Sequence, residues 1–296
     1  MSTTFRGALY GIAAAAIWGG MYVVSDVVLQ SIPPFTLLTI RLVISVLVLG
    51  LILLAARRSF DLPRRDLALS LGIGLIGFGL SLGAQFVGTD RSTAVNGALI
   101  TSASPAFILI FAAWLLREKL TIRQIVSVVV ASIGVLIIID PTNADFSSDA
   151  FFGNVMLALA AVTWALYSVL VRRMSTRVDT TLLSFVMPIG GLIVTIPASA
   201  IEVGTRPVDD ITPGIVLGIL YLGVISTALA MWLWNRSFAL VPASTASLFF
   251  FAQPLVGTVL AALLLGQQVT SAILVGGALI AGGVLLSVAP ASNQAH

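Results

Sequence analysis

Cysteine is absent from the 296 residues, which removes disulfides and thiol chemistry. Histidine occurs once, at the last position, His296, so a histidine-based metal site is excluded and no metal is expected. Charge is scarce as well. Asp, Glu, Lys and Arg make up 9% of the chain, against about 25% in a soluble domain. No G-x-x-x-x-G-K-[S/T] pattern occurs, so a phosphate-binding loop does not couple ATP to whatever the chain does. No cofactor is expected. No pair of carboxylates shares an intramembrane face and nothing marks a Ser/Thr nucleophile, so the chain does not read as an enzyme. What fills the space is apolar: 58% of the residues are hydrophobic and the mean hydropathy is +1.10. The expectation is an all-α protein that crosses a membrane many times, with the lipid bilayer as its main surroundings.

Charges, prolines and glycines cut the sequence into ten expected helices, at about 7–29, 34–56, 66–88, 92–116, 121–140, 150–173, 179–203, 213–235, 242–265 and 270–288. The first apolar run passes through Trp18, Tyr22 and Val28. That is too long for a signal-peptide core, so it reads as a retained first helix. Pro33-Pro34 ends it, because a residue before proline leaves the helical region. With the N-terminus inside, the inner segments hold 12 of the 15 basic residues, including Arg57, Arg58, Arg64 and Arg65 in one loop. The outer loops hold Arg91 and Arg206, and most of the acids: Asp90, Asp140, Asp145, Asp149, Glu202, Asp209 and Asp210. This is the positive-inside distribution of a multi-pass protein of a bacterial-type inner membrane with both termini cytoplasmic. The net charge of +3 and pI near 9.8 come from these loops and do not point to nucleic acid.

The chain also repeats itself. Residues 94–136 align without a gap on 243–285, at a constant offset of 149, with 13 identities in 43 positions. The pairs include Pro105 with Pro254 and Gly134-Val135-Leu136 with Gly283-Val284-Leu285. Earlier helices match more loosely: Trp18-Gly19-Gly20-Met21 parallels Trp164-Ala165-Leu166-Tyr167, and Thr36-Leu37-Leu38-Thr39 parallels Thr181-Leu182-Leu183-Ser184. The expected units are 1–145 and 146–296, five helices each. An odd number of spans makes the second copy face the opposite way. The loop charges agree, since 57–66 carries four arginines and its counterpart 202–213 is acidic. Inverted five-helix repeats are a transporter architecture, with the binding site near the midplane between the halves.

Several of these stretches resemble one family. Ser92-Thr93-Ala94 through Pro105, then Leu115-Leu116-Arg117-Glu118-Lys119-Leu120-Thr121 and Gly134-Val135-Leu136, resemble the EamA-like branch of the drug/metabolite transporters. Trp18-Gly19, Arg41 and the second-copy segments around Pro242, Pro254 and Gly283 fit as well. The resemblance covers essentially the whole chain and lies nearest the aromatic amino-acid exporter type. It implies export of amino acids or other metabolites. At Gln267 the chain departs from the family, whose second copy commonly has Glu there.

Candidate substrate-binding residues follow from polar and aromatic side chains on the helices. They are Trp18 and Tyr22 on helix 1, Phe78, Ser81 and Gln85 on helix 3, and Asn96, Thr101 and Ser104 on helix 4. The second copy offers Trp164, Tyr167, Thr227, Trp234, Phe249, Phe250 and Gln253. Aromatic bodies with a few polar groups suit amphiphilic solutes, although each aromatic would also serve as a lipid contact or packing residue. Pro105 and Pro254 are candidate gating kinks, and static kinks are the competing reading. Asp26 and Arg41 are the charges placed within the membrane, as functional groups or as an ion pair near the outer interface.

The resulting expectation is a carrier of small-molecule metabolites, foremost neutral or aromatic amino acids, working by alternating access and able to act as a monomer. Scarce buried acids favour facilitation. A proton-coupled antiporter, a channel and a membrane-embedded enzyme remain as alternatives. The topology is directly testable because the native chain has no thiol. A single cysteine at Ser59 will resist an impermeant thiol reagent in intact cells and react after the membrane is opened. Labelling in intact cells would reverse the topology.

Overall fold

The computed structural model describes residues 2–92, 94–139, 142, 144–265 and 270–288. Among these, the chain forms ten helical rods. They are α1 (Thr3–Leu29), α2 (Pro34–Ala55), α3 (Arg64–Asp90), α4 (Ala94–Thr101 and Ser104–Leu115) and α5 (Ile122–Ile139). Then come α6 (Phe151–Met174), α7 (Thr180–Thr205), α8 (Pro213–Leu240), α9 (Ala243–Ala246, Ser247–Phe251 and Ala252–Leu265) and α10 (Ser271–Val288). Six of them, α2, α3, α5, α6, α7 and α8, are long and apolar enough to cross a membrane. The stretches Leu99–Leu115 and Ser271–Leu286 are shorter apolar helices. The turn at 266–269 and the C-terminal residues from 289 lie outside the described residues.

Local sequence sets the helix ends. The Ser2 hydroxyl accepts from Phe5 N at 3.2 Å and starts α1. Pro34 and Pro213 each stand in a first turn, where no intrahelical amide is needed. Asp179 caps α7, accepting from Thr181 N and Leu182 N. The rod α8 runs five residues beyond the expected 235. Nothing breaks it before Pro242, which holds Val241 extended at φ −127° and ψ 160°.

Two features interrupt regular α-helix. In α3, Leu75–Ser81 winds as a π-helix, and in α8, Tyr221–Leu229 does the same. These segments occupy corresponding places in the two rods at the 149-residue offset. The other feature changes the expected kinks. Pro105 does not sit inside a continuous α4. The rod breaks at Ser102-Ala103, and Pro105 lies in the first turn of the segment that follows. The carbonyl that loses its amide partner, Thr101 O, accepts instead from Ser104 Oγ at 2.7 Å. Pro254 likewise follows a change of winding, the 3₁₀ segment Ser247–Phe251.

The rods interlock across the halves. α1 packs on α8 and α9, α6 packs on α3 and α4, α2 packs on α7, and α5 packs on α10. Around this core the outer faces stay apolar and open, with Trp114 73%, Ile122 76% and Leu285 69% exposed. Side chains of this kind exposed all around a bundle belong in lipid. Inside, association relies on backbones coming close, since burial against lipid-like surroundings drives little. The approach of α3 to α7 is the closest: a Cβ on Gly74 would overlap the Met187 carbonyl, and one on Gly190 the Leu71 carbonyl. Gly74→Ala and Gly190→Ala are therefore expected to cost about 1–3 kcal/mol each, read as a lower unfolding midpoint in detergent. Gly72→Ala and Gly204→Ala, where nothing lies within 4 Å, should be neutral or slightly stabilising. Equal behaviour of the two pairs would show that the contact is not limiting.

Candidate functional site

A cavity of about 710 Å³ opens between the helices. Its depth is walled by Trp18, Trp164, Met231 and Phe250. It rises past Gln85 and Phe86 to a mouth at Val27, Thr89, Asp90 and Arg206, the end of the bundle with the acidic loops. At that mouth Arg206 lies 3.5 Å from Asp90, with both side chains half exposed.

The floor is aromatic. The rings of Trp18 and Trp164 meet edge to face at 5.5 Å, and Trp234 lies 5.3 Å from Trp18 and 6.1 Å from Trp164. These are attractive ring geometries. The π-helical turn in α8 supplies a carbonyl for this floor, because Trp18 Nε1 donates to Ser226 O at 3.0 Å. Trp164 Nε1 is buried and has no partner, and the Ser25 hydroxyl is in the same condition. Both residues line the cavity.

Arg41 lines the cavity too, although only 3% exposed. Its Nε donates to Thr227 Oγ1 at 3.1 Å, and its Nη2 points to Met21 Sδ at 3.3 Å and Ser226 Oγ at 3.5 Å. Thr227 in turn donates to Leu222 O at 2.7 Å, the five-residue step of the π-helix. The side chain of Asp26 lies outside the described residues, as does that of Tyr22, so the expected Asp26–Arg41 pair is not assessed.

Below the floor the bundle is closed. Tyr167, Trp234, Asn235, Phe238 and Phe249 have no accessible surface. Tyr167 OH donates to Asn235 Oδ1 at 2.8 Å, and Asn235 Nδ2 to Ser184 Oγ at 3.0 Å. Trp234 Nε1 donates to Ser168 Oγ at 3.2 Å. Polar groups paired this completely make a rigid, dry seal.

Of the residues singled out from the sequence, Trp18, Ser81, Gln85, Thr101, Ser104, Trp164, Phe250 and Gln253 line the cavity. Phe78, Tyr167, Thr227, Trp234 and Phe249 stand behind its wall or under its floor, fully buried. Asn96 is elsewhere. It binds Ser92 Oγ and Asn154 Oδ1 and accepts from Asp145 N, tying α4 to α6 and the loop between the halves. In that loop, hydrogen bonds from Ser147 hold the exposed Asp145 carboxyl below its ordinary value. Met21, Phe86 and Met231 also line the cavity and were not singled out, because an apolar side chain on an apolar helix carries no signal of its own.

One family model, the EamA-like transporter family, matches twice, over residues 5–140 and 151–289. The chain belongs to the EamA-like transporter family. It is 26% identical over 289 residues to the uncharacterized transporter YetK of Bacillus subtilis (strain 168), covering 95% of this chain and 87% of that one. An uncharacterized transporter of Archaeoglobus fulgidus is 24% identical over 277 residues, covering 92% of this chain and 94% of the other. A crystal structure with 21% sequence identity superposes with a TM-score of 0.81, over 95% of this chain and 97% of its own. It shares the fold. The protein is thus a multi-pass membrane transporter, with a small-molecule substrate and the bilayer as its surroundings.

In this EamA-like chain, charged side chains cap the ends of other helices. Glu118 accepts from Ala243 N at 2.8 Å, Ser244 N at 3.1 Å and Ser244 Oγ at 2.7 Å, at the start of α9. Arg117, in the left-handed region at φ 55°, turns the chain so that Glu118 reaches it. Glu202 does the same for α2, accepting from Thr36 N at 3.0 Å. Arg172 donates to Phe238 O and Ala239 O at the end of α8. Each pairs a charge with the helix end of opposite partial charge. The structure makes Glu118 the cap on the first turn of α9. Glu118→Ala should cost about 1.5–3 kcal/mol of stability, measured as the unfolding midpoint in detergent. A midpoint equal to that of the parent chain would remove the cap from the account.

Proposed function

We propose that the chain is a ten-span inner-membrane carrier built from two inverted five-helix halves, with both termini cytoplasmic. It moves small amphiphilic metabolites, foremost neutral and aromatic amino acids, outward by alternating access and without an ion gradient. The two matches of one family model to successive halves support the repeat. So does the packing, because exchanging each rod with the one five places on turns α1 on α8 into α6 on α3, and α1 on α9 into α6 on α4. Between α5 and α10, a Cβ on Gly134 would come within 2.6 Å of Gly276 O, and one on Gly283 within 2.8 Å of Ser127 O. These are one contact made twice, with the halves exchanged at the 149 offset.

One observation carries the mechanism. Tyr167, Asn235 and Ser184 seal the closed end, and at the offsets of their helices they correspond to Met21, Phe86 and Thr39. Met21 and Phe86 line the open cavity. Equivalent positions are thus closed in one half and open in the other, the arrangement that alternating access in inverted repeats requires. The cavity opens on the side of the acidic loops, which positive-inside topology makes the outside. Its aromatic floor and sparse polar groups suit an apolar body with a polar end.

The test is uptake of labelled amino acids into proteoliposomes with and without a pH gradient. Transport should saturate and persist when the gradient is collapsed. Alanine at Trp18, Trp164, Gln85 or Gln253 should change KM or rate by about tenfold, the scale of one buried interaction, with expression intact. Loss of activity on collapsing the gradient would replace facilitation by proton-coupled antiport. Normal transport by all four variants would place the site elsewhere.

A further inference from the structure

The rods α4 and α9 meet at the closed end and part along the cavity. Ala243–Phe251, the start of α9, packs against Ser104–Leu115, the latter part of α4. Farther along, Thr101 and Ser104 of α4 and Phe250 and Gln253 of α9 line the cavity. The start of α4, Ala94–Thr101, packs on α6, α3 and α5, and Asn96 ties it to Asn154 of α6. Ala243, Ala246 and Phe249 share one buried core with Tyr167, Trp234 and Phe238. The meeting point of α4 and α9 is therefore part of the closure under the floor.

Polar groups fasten that point. The turn after α4 puts Arg117 at φ 55° and returns the Glu118 amide to Ala112 O at 3.1 Å, so the carboxylate extends from a fixed turn. It accepts from Ala243 N, Ser244 N and Ser244 Oγ. Ser244 Oγ accepts in turn from Gln124 Nε2 at 2.8 Å, and Thr245 Oγ1 takes the same group at 3.4 Å. Gln124 is itself held, because its Oε1 accepts from Thr121 N at 2.9 Å. The end of α4 and the start of α5 thus grip α9 through a carboxylate, a hydroxyl and an amide. Hydrogen bonds to a charged acceptor are stronger than neutral ones.

The sequence does not supply this grip twice. At the 149 offset, Glu118, Ser244 and Gln124 correspond to Gln267, Val95 and Ile273. No carboxylate and no hydroxyl stands at those places. Two states that differ in one such set of bonds are unequally populated, and the state that makes them is favoured.

We infer that Glu118, with Ser244 and Gln124, is a one-sided latch on the closed end, and that its release is a step of transport. The inference rests on the carrier reading above and deepens it: the latch weights the resting carrier toward the state open at the acidic loops, and α4 must leave α9 before solute passes the floor.

A single cysteine reports the release, because the native chain has no thiol. Val171 has no accessible surface, and its counterpart at the 146 offset, Ser25, lines the cavity. Maleimide labelling of Val171→Cys is timed in the purified full chain, alone and combined with Glu118→Gln, Gln124→Ala or Gly74→Ala. Uptake of labelled amino acids by the native chain in proteoliposomes runs beside it. Glu118→Gln keeps the shape of the side chain and trades one acceptor oxygen for an NH₂ group that faces other donors. It should speed labelling about tenfold, and Gln124→Ala about threefold, the scales of a charged and a neutral hydrogen bond. Gly74→Ala disturbs the contact of α3 with α7 and leaves the latch whole, so labelling should keep the native rate. If Glu118→Gln does not fold, Gln124→Ala decides. Native labelling rates in both latch variants, with uptake intact, would overturn the latch and leave the carrier. So would Gly74→Ala speeding labelling as much as Glu118→Gln, since any loss of stability would then have the same effect. Absence of uptake of every amino acid by the native chain would remove the carrier reading and the latch with it.

Discussion

Where α6, α7 and α8 converge, Tyr167, Asn235 and Ser184 hydrogen-bond to one another out of reach of both water and lipid. A phenol, an amide and a hydroxyl at that depth would each be costly alone. Together they satisfy one another, and the Trp234 indole finds Ser168 beside them. This closure gives the cavity a bottom. It holds α8 against α6, it sets Trp234 under Trp18 and Trp164, and the space above it leads to the mouth at Asp90 and Arg206. Met21 and Phe86 line the open side and cannot form such a network, so the two ends of the path are chemically unequal.

The groups that face the cavity owe their placement to irregular backbone. A regular α-helix spends its carbonyls on its own amides. The π-helical turns of α3 and α8 and the breaks of α4 and α9 release some of them, and the released groups are used. Ser226 O holds Trp18, Leu222 O takes Thr227 Oγ1, and Thr101 O takes Ser104 Oγ. Irregular backbone at membrane depth is tolerated where protein or a cavity satisfies it, and π segments often stand at functional sites. The helix ends show a parallel economy. Glu118, Glu202 and Arg172 each come from one segment and cap another, so the rods are clamped near their ends.

Much of this was legible in the sequence. Punctuation by proline, glycine and charge placed the rods to within a few residues, because lipid forces each buried backbone segment into helix and leaves little else to decide. The paired Pro105/Pro254 and Gly-Val-Leu runs are the sequence basis of the proposed repeat. Eight of the fifteen polar and aromatic candidates reach the cavity, since polar atoms such as those of Gln85 and Gln253 are costly in lipid and collect in its interior. Depth was harder to see. Trp234 and Tyr167 share the composition of Trp18 and Trp164, and which ring floors the cavity and which seals it depends on the conformation of the whole bundle. The π turns left no mark beyond glycine-rich stretches around Gly74 and Gly223. The caps made by Glu118 and Arg172 join residues far apart in sequence, so no local pattern carries them.

The central claim is that the two ends of one path open in turn. Spin labels at Leu29 and Asp90 span the open mouth, and labels at Ser175 and Ala239, the corresponding positions at the 146 and 149 offsets, span the closed end. Pulsed dipolar distances for both pairs, measured in nanodiscs with and without phenylalanine, test the claim directly. The account predicts two populations in each pair, related inversely, so that solute or mutation that lengthens the inner distance shortens the outer one by a matching fraction. A single unchanging distance at the inner pair, or both pairs lengthening together as in an opening pore, would contradict it.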